Sequence, residues 1–170
     1  MTSELFVHVS GACALLLNVL ALLCTCEKAL RFQSGLAGLV WAFNNLLLGA
    51  PAAAALSLIN AGRTASSAVM LQRGARLRRL AFVGFAAATA VVCALTWQGL
   101  PSVLLFAASL VSSYAMFYLR GSGLRWAMLL VSALWMYHAW AHASWEQMAA
   151  NALTAVAALY GAWRAERLVR

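Results

Sequence analysis

The sequence predicts an all-α polytopic membrane protein, with seven transmembrane helices arranged as two parallel three-helix bundles joined by a linker helix. Three observations carry that expectation. Hydrophobic residues make up 65% of the 170-residue chain and charged residues only 9%, with a mean hydropathy of +0.84. A soluble domain is nearer half apolar and a quarter charged, so this composition cannot cover a water-facing surface. The apolar residues fall into seven stretches, each close to the ~20 residues that a helix needs to cross a bilayer. Every one of the twelve Lys and Arg except Arg63 then falls on alternate connections between those stretches.

The first stretch, 5–25, follows MTSE, which lacks the basic n-region of a cleavable signal, so this helix is expected to remain in the protein. The second, 32–49, ends at GAP, and the third, 51–72, starts there; Gly and Pro suit a tight break between helices. The fourth stretch, 80–97, follows the basic run RGARLRR. The fifth, 101–119, follows QGLPS, and the sixth and seventh are 124–141 and 144–163. Stretches two and six are slightly short, which suits a thin or protein-covered location.

Lys28, Arg31, Arg73, Arg76, Arg78, Arg79, Arg120, Arg125, Arg164, Arg167 and Arg170 all belong to one set of connections and ends, and the other set has none. The positive-inside rule places that set in the cytoplasm, with the N-terminus outside and the C-terminus cytoplasmic. The net charge of +8 therefore reflects topology. RGARLRR reads as an anchor against anionic lipid, and no nucleic-acid partner is expected. The bilayer is the expected partner. Cys13, Cys24, Cys26 and Cys93 show no second pair or histidine at ligand spacing and read as small apolar packing residues.

An internal repeat organises the seven stretches. LRFQSGL (30–36) resembles LRGSGL (119–124), each lying between the first and second stretch of a group of three. Each group continues with a mid-span tryptophan, Trp41 or Trp135, then a short turn, then a small-residue span carrying Asn60 or Asn151. The interval from Asn60 to Arg73 equals that from Asn151 to Arg164. A single membrane domain, 1–170, is expected, with residues 5–72 as the first three-helix repeat, 80–97 as the linker helix and 101–166 as the second repeat. Two copies of three spans with the same orientation need an odd linker, and a parallel repeat of this kind puts a site near mid-membrane between its halves.

At the level of architecture this arrangement resembles the SWEET sugar transporters and the vitamin transporter PnuC. More closely, the chain is similar to the YgjV family of bacterial inner-membrane proteins, best along LLLGAPAAAALSLINAGRT (46–64) and from LVSSYAMFYLRGSGLRWAM into LWMYHAW. That resemblance implies a multi-pass location in the bacterial inner membrane and assigns no activity. The SWEET likeness implies a tryptophan on the second helix and an asparagine on the third helix of each bundle around the substrate; Trp41, Asn60, Trp135 and Asn151 match that pattern. Arg63 has no counterpart in it.

Arg63 is the residue that asks for an explanation. It lies about twelve residues beyond Pro51, about 18 Å along a helix, close to the middle of a ~30 Å hydrocarbon core. Ser57, Asn60, Arg63, Thr64 and Ser67 share one side of that helix, opposite Ala, Leu, Ile and Val. Burying the charge costs from about 3 to over 10 kcal/mol. The four acids, Glu4, Glu27, Glu146 and Glu166, all lie outside the spans, so no carboxylate is available at that depth. Arg63 is expected to use helix carbonyls, Asn side chains, water or an anionic ligand. Two readings follow: a guanidinium that locks neighbouring helices, or a contact for a polar or anionic ligand, with Arg63, Asn60, Asn151, Trp41, Trp135 and Thr64 as the substrate-binding set. Asn18, Asn44 and Asn45 read as interhelical hydrogen bonds.

His138 and His142 lie four apart with Glu146 nearby, a spacing that suits a divalent ion, but no further ligand motif supports one and no metal or other cofactor is expected. The chain has no Asp, no GxSxG and no HExxH, so it is not expected to be an enzyme. Its only lysine, Lys28, lies in a connection, which excludes a retinal Schiff base within the membrane. The function expected is a small permease for a polar or anionic metabolite, against a structural or partner-stabilising membrane protein.

Overall fold

The computed structural model describes residues 2–97, 99–141 and 145–167. Among them the chain is helical, with no strand: α1 (Thr2–Leu23), α2 (Glu27–Leu47), α3 (Pro51–Met70), α4 (Ala75–Leu95), α5 (Leu100–Tyr118), α6 (Gly121–Ala141) and α7 (Trp145–Arg167). Most boundaries fall close to the expected ones. Helices α2 and α6 begin earlier, at Glu27 and Gly121, and each reaches 21 residues, so neither is short. The difference has a physical cause. Arg31 and Arg125 were expected in the connections because they are charged, yet both are inside helices and buried, their charges taken up by carbonyls of other helices.

The GAP turn forms as its composition suggests. Gly49 adopts φ 69°, a left-handed conformation that a glycine accepts without steric cost after a helix. The amides of Leu48, Gly49 and Ala50 bond back to Asn44, Leu46 and Asn45 carbonyls. Pro51 then occupies the first turn of α3, where its missing N–H leaves no helical bond unmade.

Polarity is arranged inside out. Large apolar residues face outward: Leu16 and Leu20 on α1, Leu80, Val83 and Val91 on α4, and Leu153 and Val156 on α7 are exposed. The interior holds Leu30, Phe117, Leu124 and many alanines, and among them Ser10, Arg31, Asn44, Arg63, Thr64, Thr89, Ser109, Ser112, Ser113, Arg125 and Ser132. A bilayer rewards this distribution, since lipid solvates apolar side chains while polar ones must find partners within the protein. Among the described residues two helices, over Leu5–Leu23 and Ala75–Leu95, are long and apolar enough by composition to cross a membrane. Helices α2 and α3 carry inward polar residues that lower their average.

Helix contacts form a circuit. In chain order, α1 packs on α2, α2 on α3, α3 on α5, α5 on α6, α6 on α7 and α7 on α1, while α4 lies against both α3 and α5. Small residues set the closest approach. A Cβ on Gly38 of α2 would lie 3.0 Å from the Ala61 Cβ, 3.1 Å from its Cα and 3.2 Å from its nitrogen on α3. Backbone atoms cannot move aside as a flexible side chain would. Gly38→Ala is therefore expected to lower stability by about 1–2 kcal/mol, overpacking outweighing the ~1 kcal/mol that alanine gains in helix propensity. Gly38→Leu should prevent the native α2–α3 contact. Thermal unfolding in detergent is the measurement, and a stabilised Gly38→Ala would show that these helices separate readily.

Candidate functional site

The sequence of α3 turns Ser57, Asn60, Arg63, Thr64 and Ser67 to one side, and that side faces the interior: Arg63, Thr64 and Ser67 are buried. The Ser67 hydroxyl is used locally, donating to the Thr64 carbonyl at 2.7 Å. Arg63, only 4% exposed, reaches across to α5. Its Nη1 donates to the Ser109 carbonyl and to Ser113 Oγ, both at 3.1 Å, and its Nη2 donates to Ser112 Oγ at 2.7 Å. The Ser113 hydroxyl in turn donates to the Ser109 carbonyl at 2.7 Å.

One of the expected partners, a helix carbonyl, is present, and two serine hydroxyls join it. Serine hydroxyls were not among the expected partners. The available signal was the i, i+3, i+4 spacing of Ser109, Ser112 and Ser113 in α5, which puts all three on one face. Two polar atoms of the α3 stripe remain buried without a partner, Arg63 Nε and Asn60 Oδ1.

Beside this stripe is a cavity of about 650 Å³. Residues from all seven helices line it. The six residues picked from the sequence, Trp41, Asn60, Arg63, Thr64, Trp135 and Asn151, are all on its wall, although α2, α3, α6 and α7 supply them. Asn18, Asn45 and Cys93 line it too. At one end the lining reaches Leu48, Ala50 and Pro51 of the GAP turn; at the other it reaches Leu22, Ser34 and Met116.

Near Met116, two arginines cap helix ends reciprocally. Arg31, the fifth residue of α2, donates through Nη1 to the Met116 carbonyl and through Nη2 to the Leu119 carbonyl at 2.8 Å, so it caps the end of α5. Arg125, the fifth residue of α6, donates through Nη2 to the Cys24 carbonyl at 2.6 Å and through Nε to the Leu22 carbonyl at 3.5 Å, so it caps the end of α1. The carbonyls in the last turn of a helix have no partner within it, and a cation there also meets the negative end of the helix dipole. Glu27 joins the two caps: its carboxylate accepts the Gly121 amide and lies 3.8 Å from Arg31. Arg78 stacks over Tyr118, and Arg120 Nη2 approaches the Leu71 carbonyl at 3.5 Å, so the basic connections gather at this end.

The other sequence expectations fare unevenly. Asn44 is a helix tie, donating from Nδ2 to the Val7 carbonyl at 2.7 Å and to Ser10 Oγ at 2.9 Å, and Asn45 joins Ser57 Oγ at 3.1 Å. Asn18 lies on the cavity wall rather than showing as a helix tie. Only Cys93 of the four cysteines is buried; Cys13 and Cys26 are exposed, and Cys24 donates to Gln33 Oε1 at 3.2 Å. Packing is therefore the wrong reading for Cys13 and Cys26. His142 lies outside the described residues, and so do the side chains of His138 and Glu146. Among the described residues no three His, Cys, Asp or Glu side chains come together.

The Imp-YgjV family model, described as a bacterial inner membrane protein, matches residues 5–168. No curated protein and no solved structure matches the chain.

Proposed function

The chain belongs to that bacterial inner membrane protein family, and from this premise we propose that it is a small permease for a polar or anionic metabolite, with its site around Arg63. The observation that carries the reading is the cavity itself. A protein of this size holds a cavity of about 650 Å³, lined in part by polar side chains from α1, α2, α3, α5, α6 and α7, with a buried cation on the wall. A pocket of this volume is in the range of small-molecule sites.

The proposed architecture is two parallel three-helix bundles, α1–α3 and α5–α7, with α4 as linker and all seven helices spanning the bilayer. Two features support it. Exchanging α1 with α5, α2 with α6 and α3 with α7 turns the α1–α7 contact into the α5–α3 contact, so the helix circuit maps onto itself. The same exchange turns the Arg31 cap on α5 into the Arg125 cap on α1. This is the relation expected of a parallel repeat about an axis along the membrane normal, as in the SWEET and PnuC architecture. The basic end faces the cytoplasm in this reading, and the N-terminus lies outside. No reaction is assigned. Opening the cavity towards the cytoplasm then requires the two arginine caps to separate.

A second reading has its own support: three hydrogen bonds tie Arg63 to α5, as a static membrane scaffold would use them. Accessibility separates the two. Ser34→Cys, beside the caps, is made with the four native cysteines replaced by serine and labelled with a membrane-impermeant maleimide in vesicles of each orientation. A permease is expected to label from both faces. Labelling from one face only, under all conditions, favours the scaffold.

A further inference from the structure

We propose that the cavity takes a small organic carboxylate that also carries a hydrogen-bond donor, a hydroxy acid or an amino acid, with the carboxylate on the free edge of Arg63 and the donor on Asn60 Oδ1. The proposal rests on the permease reading for its purpose, but on separate observations for its chemistry.

An arginine offers five N–H donors. Arg63 uses both of those on Nη1 and one on Nη2, all towards α5. The Nε–H has no partner, and one Nη2 donor remains. Nε and Nη2 flank one edge of the planar group, and two donors on such an edge match the two oxygens of a carboxylate. The three α5 contacts fix the guanidinium, so its orientation is set before any ligand arrives.

Charge selects in the same direction. Among the described lining residues Arg63 is the one cation and there is no acid. A monoanion would neutralise the site where water is scarce and charge interactions are strong. A phosphate fits less well, since two free donors and a single positive charge leave most of its oxygens and its second charge unmatched.

Asn60 supplies the second requirement. It stands one turn before Arg63 on the same stripe and also lines the cavity, and its Oδ1 is buried without a donor. A carboxylate with only hydrocarbon behind it cannot satisfy that oxygen, whereas a hydroxyl or ammonium group can. Trp41, Met116 and Met128 provide apolar wall for the rest of the molecule.

The test is thermal unfolding of the purified protein with six probes: lactate, glycerate and L-serine, against propionate, propane-1,2-diol and inorganic phosphate. Lactate, glycerate or serine is expected to stabilise the wild type most, propionate less, and the diol and phosphate not at all. Asn60→Leu keeps Arg63 and should weaken the response to the best acid about tenfold, to the level of propionate, which is the loss of roughly one hydrogen bond. Arg63→Met should abolish both. The proposal is overturned if none of the three acids stabilises the wild type, if phosphate or the diol stabilises most, or if Asn60→Leu leaves the order of probes unchanged. The Ser34→Cys labelling is read without ligand. An acid response with one-sided labelling retains the site and rejects the permease, and two-sided labelling with no acid response does the reverse.

Discussion

Replacing Ser112 and Ser113 together by alanine is expected to destabilise the protein by about 2–4 kcal/mol, more than removing the arginine they serve. Each hydroxyl accepts a bond from a buried guanidinium, and such charge-assisted bonds contribute about 1.5–3 kcal/mol each. The double alanine leaves Arg63, whose Nε is already unpartnered, with the Ser109 carbonyl alone. Arg63→Met removes the charge with its need for partners and fills much of the same volume. Replacing a buried charge in this way is often neutral or stabilising, so Arg63→Met is expected within about 1 kcal/mol of wild type, with the fold intact. Denaturant titration of both variants in mixed micelles, followed by circular dichroism, gives the order. The opposite order would make the guanidinium a net stabiliser of the α3–α5 contact and would weaken the case for a ligand role.

The arginine caps give the second large effect. Arg31→Met strands the Met116 and Leu119 carbonyls, and Arg125→Met strands those of Leu22 and Cys24. Leaving buried acceptors unmade costs about 1–3 kcal/mol apiece, and a frayed helix end recovers part of it, so each variant should lose about 2–4 kcal/mol. Glu27 lies against both caps, so the loss in the double variant is expected to depart from the sum of the single losses. Lysine at either position should recover only part of the loss, because a single ammonium cannot span two carbonyls as the guanidinium fork does. The same unfolding titration measures all of these. A loss below about 0.5 kcal/mol for either single variant would mean that water serves those carbonyls instead.

The sequence made some of this legible and hid the rest for identifiable reasons. The polar stripe on α3 was readable because a helix converts spacing into a face, and a charge in an apolar stretch is conspicuous. Trp41, Trp135, Asn60 and Asn151 could be grouped because LRFQSGL and LRGSGL resemble each other and each is followed by a tryptophan and then an asparagine. The α5 serines went unnoticed because serine is common in apolar helices, and only the distant Arg63 gives these three a role. Arg31 and Arg125 were misread because an arginine near a helix end looks the same in sequence whether it meets lipid headgroups or a buried carbonyl. The two similar segments pair Arg31 with Arg120 and leave Arg125 just beyond LRGSGL, so the match between the two caps was hidden; so were their acceptors, more than 80 positions away along the chain.

The crossed caps bear on how the chain is made. Arg31 emerges from the ribosome long before Met116 and Leu119 exist, so through most of synthesis it has only Glu27, one turn away, to answer its charge. The end of α1 waits equally long for Arg125. A fragment stopping after α4 would hold a bare guanidinium and an unfinished helix end, and the later fragment would lack the complementary pair. Expressed apart, neither portion should mature, whereas expressed together as separate polypeptides they should find each other and assemble.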